Sequence, residues 1–246
     1  QASSPVAALV SLHHHPGRNA EPSANFLDAV SSRLQQLRIG RVDADHLRLH
    51  ALLKQLEVED YEAVQLTDAI RDWTDKDTAL VSSYGAEDAY YEGLTPPYLT
   101  ANQWMLSTDE LRAVRGVNAK LYARLAPYVC ALPSEKLVVN INTIKPEQVA
   151  LLVALYLDKV GLDDAKRVLT SRPQKGWKDK KAMTDQMPVQ ASTITGLDTA
   201  LDVKSSYFEA KLIAEVGDTR ARLESVFVRG KDNKLVMLRR LNGGAE

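Results

Sequence analysis

From Ser205 onward, apolar and polar residues alternate, and this stretch constrains the fold more than any other. Phe208, Ala210, Leu212, Ala214 and Val216 are separated by Glu209, Lys211 and Glu215, with Ile213 as the apolar exception. Side chains of a strand point to opposite faces in turn, so this pattern buries one face and leaves the other in water. Gly217-Asp218 suits a two-residue hairpin turn, because glycine accepts positive φ at the first position. Residues 219–228 make the return strand, Gly230-Lys231-Asp232-Asn233 turns again, and residues 234–240 form a third strand. Three strands cannot bury their apolar face alone, so a helix must cover this meander. Residues 24–38 are the candidate, with Phe26, Leu27, Val30, Leu34 and Leu37 at amphipathic spacing.

The middle of the chain reads as helical. Asp43 or Asp45 suits a helix N-terminus, and Leu49, Leu52, Leu53 and Leu56 form an apolar stripe. A second helix spans residues 59–72, with Ala63, Leu66, Ile70 and Trp73 along one side. Ser107 and Glu110 read as a capping box opening a short helix that ends at Gly116. Another helix runs over residues 118–125 and stops at Pro127. Residues 137–143 are β-like. Pro146 opens a helix carrying Val149, Leu152, Val153 and Tyr156, which Gly161 ends. Residues 163–171 form a further helix before Pro173. Residues 174–204 read as polar and irregular, with a basic cluster at Lys175, Lys178, Lys180 and Lys181. Residues 1–23, with Pro5, Pro16, Gly17 and Pro22, read as loosely ordered.

Between residues 72 and 92 lie six acids and one base, Lys76. That many carboxylates repel one another unless water or a cation screens them. Calcium takes six to eight oxygen ligands in flexible geometry, and the loop offers Asp72, Asp75, Asp77, Glu87 and Asp88, with Asn102 downstream. An EF-hand is excluded, since no glycine stands at the required place after Asp75-Lys76-Asp77. On spacing alone, a solvated loop and an ion-tied loop both remain open. Paired carboxylates also serve glycosidases, but aromatic residues make up only 6% of the chain, too few for the stacking surface that sugar sites use.

Other chemistry is sparse. The net charge of −1 gives no support for binding nucleic acid or anionic membranes. Cys130 is the one cysteine, in an apolar setting with no histidine after position 50 to activate it, so it reads as buried and structural. His13-His14-His15 is adjacent in sequence, and three neighbouring histidines rarely form one metal site by themselves. There is no phosphate loop, nucleophile elbow or metalloprotease motif. Trp73 reads as core and Trp104 as a pin for the acidic loop. Trp177, in the basic stretch, is the best of the three for an exposed contact, with a local packing role equally open.

Four stretches together resemble the minor pseudopilins of the bacterial type II secretion system, K class. They are Asp72-Trp73-Thr74-Asp75-Lys76-Asp77, Gly85-Ala86-Glu87-Asp88-Ala89-Tyr90-Tyr91, the segment from Ser107 through Arg115 to Gly116, and Val139-Asn140-Ile141-Asn142-Thr143. The resemblance covers the chain from about residue 42. It implies an α+β protein in which a pilin-like helix packs on a small antiparallel sheet, with a large inserted α-helical domain. The parts would be 1–41, the N-terminal part of the pilin-like domain; 42–204, the insertion; and 205–246, its β-meander. It implies calcium in the insertion, and no enzymatic activity. It further implies a periplasmic position at the pseudopilus tip, with I- and J-class minor pseudopilins as partners; contact with secreted cargo stays open. A full-length member carries a membrane-embedded N-terminal helix. Residues 1–41 show none, nor the Gly-Arg-Phe-Asn-Leu-Asn type of segment expected before the insertion.

An alternative is a helix–hairpin–helix DNA-binding protein. Val114-Arg115-Gly116-Val117 and Lys159-Val160-Gly161-Leu162 each link two predicted helices, and Asn140-Ile141-Asn142-Thr143 is similar to a segment of DNA-uptake proteins. Asp163 and Asp164 follow the second turn and would repel phosphate.

Overall fold

A computed structural model describes residues 37–38, 43–134, 137–216 and 219–243. The chain divides at Ser205 into two compact units, a helical one over residues 35–204 and one containing the C-terminal strands. None of the described helices is long and apolar enough to cross a membrane.

The helical unit is built around a short helix that is apolar on every side. Strand β1 (Leu37–Arg38) is followed by α1 (Asp43–Gln55), α2 (Asp60–Thr74), α3 (Asp88–Tyr91), α4 (Ala119–Leu125), α5 (Val149–Leu155), α6 (Leu162–Thr170), α7 (Lys180–Thr184) and α8 (Leu197–Ala200). Helix α5 reads Val-Ala-Leu-Leu-Val-Ala-Leu and is buried from Ala150 to Leu155. A helix with no polar face needs neighbours all round. It lies against α1 and α6, and α1 also packs on α2. Leu52 and Leu53 of α1, Ala63 and Ile70 of α2, and Val168 of α6 complete this core.

Two short parallel ladders tie distant segments together. Strand β1 pairs with β2 (Val129–Cys130), with Leu37 opposite Val129. Strand β3 (Val139–Asn140) pairs with β4 (Leu201–Asp202), extended by the Ile141 amide donating to Asp202 O at 2.9 Å. Residues 37–38 are therefore strand, not the end of a helix over 24–38, because pairing with Val129 and Cys130 overrides the local pattern. The rest of that predicted helix lies outside the described residues. The β-like stretch over residues 137–143 likewise contracts to two strand residues.

Several helix ends differ from expectation. The capping box forms: Ser107 Oγ accepts from the Asp109 amide at 3.2 Å, and Glu110 Oε1 accepts from the Ser107 amide at 3.1 Å. What it opens, however, is a 3-10 helix, Thr108–Ala113. Gly116 then turns the chain at φ +83°, where a Cβ would meet Leu66 Cδ2 at 3.0 Å. Gly161 does not end α5. That helix stops at Leu155, Leu157 and Asp158 reverse the chain at φ 53° and 58°, and Gly161 precedes α6 in an extended conformation.

The stretch over residues 174–204 is folded. It contains α7, a 3-10 turn (Ala191–Thr193) and α8, and buries Trp177, Met183, Met187, Ile194 and Leu197. Its apolar residues are too widely spaced to show a period, yet each reaches the core. Trp177 is 4% exposed, which decides for the packing role and against a surface contact. Asn142 fixes it there, accepting from the Trp177 amide (2.6 Å) and donating to the Trp177 carbonyl (3.0 Å).

The C-terminal strands follow the alternating pattern closely. Strands β5 (Tyr207–Val216), β6 (Thr219–Arg229) and β7 (Leu235–Gly243) form an antiparallel sheet in that order. Phe208 stands opposite Phe227, and Lys211 opposite Glu224. The Gly217-Asp218 turn lies outside the described residues. The second turn closes with the Gly230 amide on Lys234 O at 2.8 Å and Asn233 at φ 61°. Phe208, Ala210 and Val226 are buried. A register shift between Val226 and Phe227 interrupts the ladder to β7.

Candidate functional site

The acidic loop grows out of the last two turns of α2. Asp68 and Asp72 are one turn apart on the same face, and Asp75 caps the helix, its amide donating to Arg71 O at 2.9 Å. The loop then folds back over α2. Its Val81 amide donates to Asp72 Oδ1 at 2.9 Å, and Ser82 Oγ donates to Asp68 Oδ2 at 2.5 Å. His46 of α1 stands on the other oxygen of Asp68 at 3.2 Å, so the strap joins both helices.

At Gly85 the strap presses against the Asp72 carboxylate. A Cβ there would lie 1.9 Å from Asp72 Oδ2, so only glycine fits without displacing the carboxylate. Glu87 follows as the N-cap residue of α3. Thr100 binds both neighbouring acids: its hydroxyl donates to Asp88 Oδ1 and reaches Glu87 Oε2 at 3.3 Å, and its amide donates to Asp88 Oδ1 at 2.9 Å.

The structure buries three of the predicted ligands together. Asp72 is 0%, Asp75 5% and Glu87 6% exposed. Burial pushes the Glu87 carboxyl up to about 7; the negative charges of Asp72, Asp75 and Asp88 add to this, and the Thr100 hydrogen bond opposes it. Asp72 is also raised, first by burial, with the Val81 amide pulling the other way. Asp88 is held below the usual carboxylate range by its two bonds from Thr100. Asn102 stands at φ 46°. Asp77 is exposed, with Oδ1 accepting from the Ala79 amide at 3.1 Å.

Asp72 Oδ2, Glu87 Oε1 and Asn102 Oδ1 are buried and accept no hydrogen bond. Burying ionised oxygens without partners costs several kcal/mol each, so such groups take up a proton or a cation. The donor set is all oxygen, which fits a hard cation such as calcium. Among the described residues, no three acid, histidine or cysteine side chains already stand in ion-holding geometry.

Two features of the site carried no signal of their own in the sequence. Thr100 is an isolated threonine after a proline-rich turn. Arg115 ends the Ser107–Arg115 segment with no chemistry evident from its neighbours; its Nη1 donates to Gly85 O at 3.0 Å, and its guanidinium lies 4.8 Å from the Tyr90 ring centroid. Behind the loop, Trp73, Tyr91 and Tyr98 pack edge to face or tilted, with centroids 5.2 to 6.2 Å apart. The Tyr98 hydroxyl donates to Ala113 O at 2.8 Å.

The DNA-binding alternative finds no support. Asn140 Oδ1 accepts from the Asn142 amide at 2.9 Å, and Asn142 is turned inward onto Trp177. Gly116 is left-handed and Gly161 is not, so the two Gly-centred turns are not copies of one hairpin. Cys130 is buried, as its setting predicted.

Family models described as type II secretion system, protein K match residues 27–134 and 139–204. The type II secretion system protein K of Aeromonas hydrophila is 93% identical over 196 residues, 80% of this chain and 59% of that protein. The protein of the same name from Dickeya chrysanthemi is 39% identical over 175 residues, 71% of this chain and 48% of that protein. The chain thus spans about half to three fifths of these curated relatives. A chain in the crystal structure of the GspK-GspI-GspJ complex from enterotoxigenic Escherichia coli matches with a TM-score of 0.74 and 31% identity. That match covers 83% of this chain and 71% of that one.

Proposed function

The chain belongs to the type II secretion system protein K family, and from that premise we propose that it is an architectural subunit of the pseudopilus, acting at its tip without catalysis. The carrying observation is the likeness to a chain of the GspK-GspI-GspJ complex across 83% of this sequence. On this reading the C-terminal sheet belongs to a pilin-like unit, with a helix packed on it, and the helical unit is an insertion. A subunit with so large an insertion leaves no room for another above it. It therefore occupies the end of a filament, where it starts or regulates growth. Its partners are the I- and J-class minor pseudopilins. The full-length protein works from the inner membrane into the periplasm.

Calcium belongs to the same proposal. Asp72, Asp75 and Glu87 hold the ion, with Asp88, Asp77 and the Asn102 side chain completing the set. The ion supplies positive charge where burial has gathered carboxylates, and the loop residues bind and orient around it. The support for this is the pair of unpartnered buried oxygens on Asp72 and Glu87. The ion would stiffen an interaction domain rather than activate a substrate.

Co-purification tests the assembly. Co-expressed with I- and J-class pseudopilins from the same system, the chain is expected to elute with both. Elution of an I–J pair without it would count against the proposal.

A further inference from the structure

Arg115 lies outside the acidic loop and holds it at three points. Its Nη1 donates to the Gly85 carbonyl at 3.0 Å. Its guanidinium covers the Tyr90 ring at 4.8 Å. Its backbone amide donates to the Tyr91 hydroxyl at 3.2 Å. Gly85 is also the residue whose backbone presses on Asp72 Oδ2. A side chain that fixes the Gly85 carbonyl therefore fixes how closely the strap approaches the carboxylate, and where Glu87, two residues on, enters the cluster. The capped 3-10 segment just before Arg115 anchors it, through Tyr122 Oη on Asp109 (2.7 Å) and Tyr98 Oη on Ala113 O (2.8 Å).

We propose that Arg115 is a positioning residue for the cation site: it orders the loop over residues 76–88 before the ion arrives and so raises calcium affinity. This rests on the calcium reading above and adds a residue that would not itself touch the ion. Two effects of the guanidinium oppose each other. Its charge repels a cation, whereas its hydrogen bond removes the entropy an ion would otherwise have to overcome in closing the loop. The guanidinium is tied to the Gly85 carbonyl and the Tyr90 ring rather than to a carboxylate of the cluster, and on this proposal ordering outweighs repulsion.

The test uses the whole chain with calcium chloride as the probe, comparing wild type, Arg115→Met and Arg115→Lys by titration calorimetry. Amide hydrogen exchange over residues 76–88 is followed in chelator and in calcium. Arg115→Met is expected to weaken calcium binding about tenfold or more, equivalent to one closed hydrogen-bonded contact. It should also speed exchange of the loop in chelator, with calcium restoring protection. Arg115→Lys keeps the charge and part of the donor function, and is expected to fall between the two. Unchanged or tighter binding by Arg115→Met, or unchanged loop exchange in chelator, overturns the proposal. Absence of calcium binding by the wild type overturns the calcium reading itself, whereas binding by wild type and variant alike overturns only the role of Arg115.

Discussion

Glu87 shows at the scale of one residue what burial does to a carboxylate. Its ordinary value of 4.5 is pushed up to about 7, mainly by loss of water and then by Asp72. The unfolded chain releases this proton near 4.5 and the folded chain holds it to about 7, so rising pH favours unfolding through that window. Calcium-free protein is therefore expected to lose stability between about pH 4.5 and 7 through this group, and Glu87→Gln to flatten the loss in thermal melts. Calcium should restore stability at pH 7.5: at a hundredfold excess over Kd, mass action gives about 2.7 kcal/mol, or roughly 5–10 °C in Tm. A chelator that leaves the wild-type melt unmoved would contradict the calcium reading. Gly85→Ala tests the same contact from the other side. The methyl group has no room beside Asp72 Oδ2, so a loss of about 1–3 kcal/mol is expected from overpacking. A neutral Gly85→Ala would show that the strap sits farther from α2 than described. Asp72, Asp75 and Glu87 were legible as an acidic cluster, because charge density is a property of sequence. Thr100 and Arg115 were not, since their roles come from segments that meet only in the fold.

Elements with a strong period were read well, and elements made by sparse contacts were not. The β5–β6–β7 sheet follows from alternation over long strands, and its bounds differ from the reading by a few residues. Helices α1, α2, α4 and α6 likewise lie where apolar spacing and caps put them. The stretch over residues 174–204 was misread because Trp177, Met183, Met187 and Leu197 obey no period, and only the core they enter brings them together. Two-residue ladders such as β3–β4 depend on a partner some sixty residues away, which no local pattern shows. Helix α5 is the element on which the helical unit most depends, being buried along its whole length from Ala150. Leu152→Ala, at a site with 0% exposure, is expected to cost about 2–5 kcal/mol. Chemical denaturation would show this as a lower midpoint at unchanged slope, and a cost under 1 kcal/mol would mean that α5 is not the packing centre.

For the whole molecule, the proposed role needs two things at once: a pilin-like unit that joins a filament, and a helical unit that ends it. A side-by-side filament subunit can recur many times, but a tip subunit can occur only once per filament. Family membership was legible from four short motifs because each sits at a place with a structural demand. Asp72 and Gly85 meet in the strap, Ser107 caps the segment that leads to Arg115, and Asn142 pins Trp177. Residues 1–41 carry none of those motifs, yet the family model reaches back to residue 27, so part of that stretch belongs to the family match although no short motif marked it. The most direct test is native mass spectrometry, with metal analysis, of the complex formed with I- and J-class pseudopilins. One copy of this chain per complex is expected, carrying calcium that is lost in a variant combining Asp72→Asn with Glu87→Gln. Several copies of this chain in one assembly, or a complex without calcium when the ion is supplied, would contradict it.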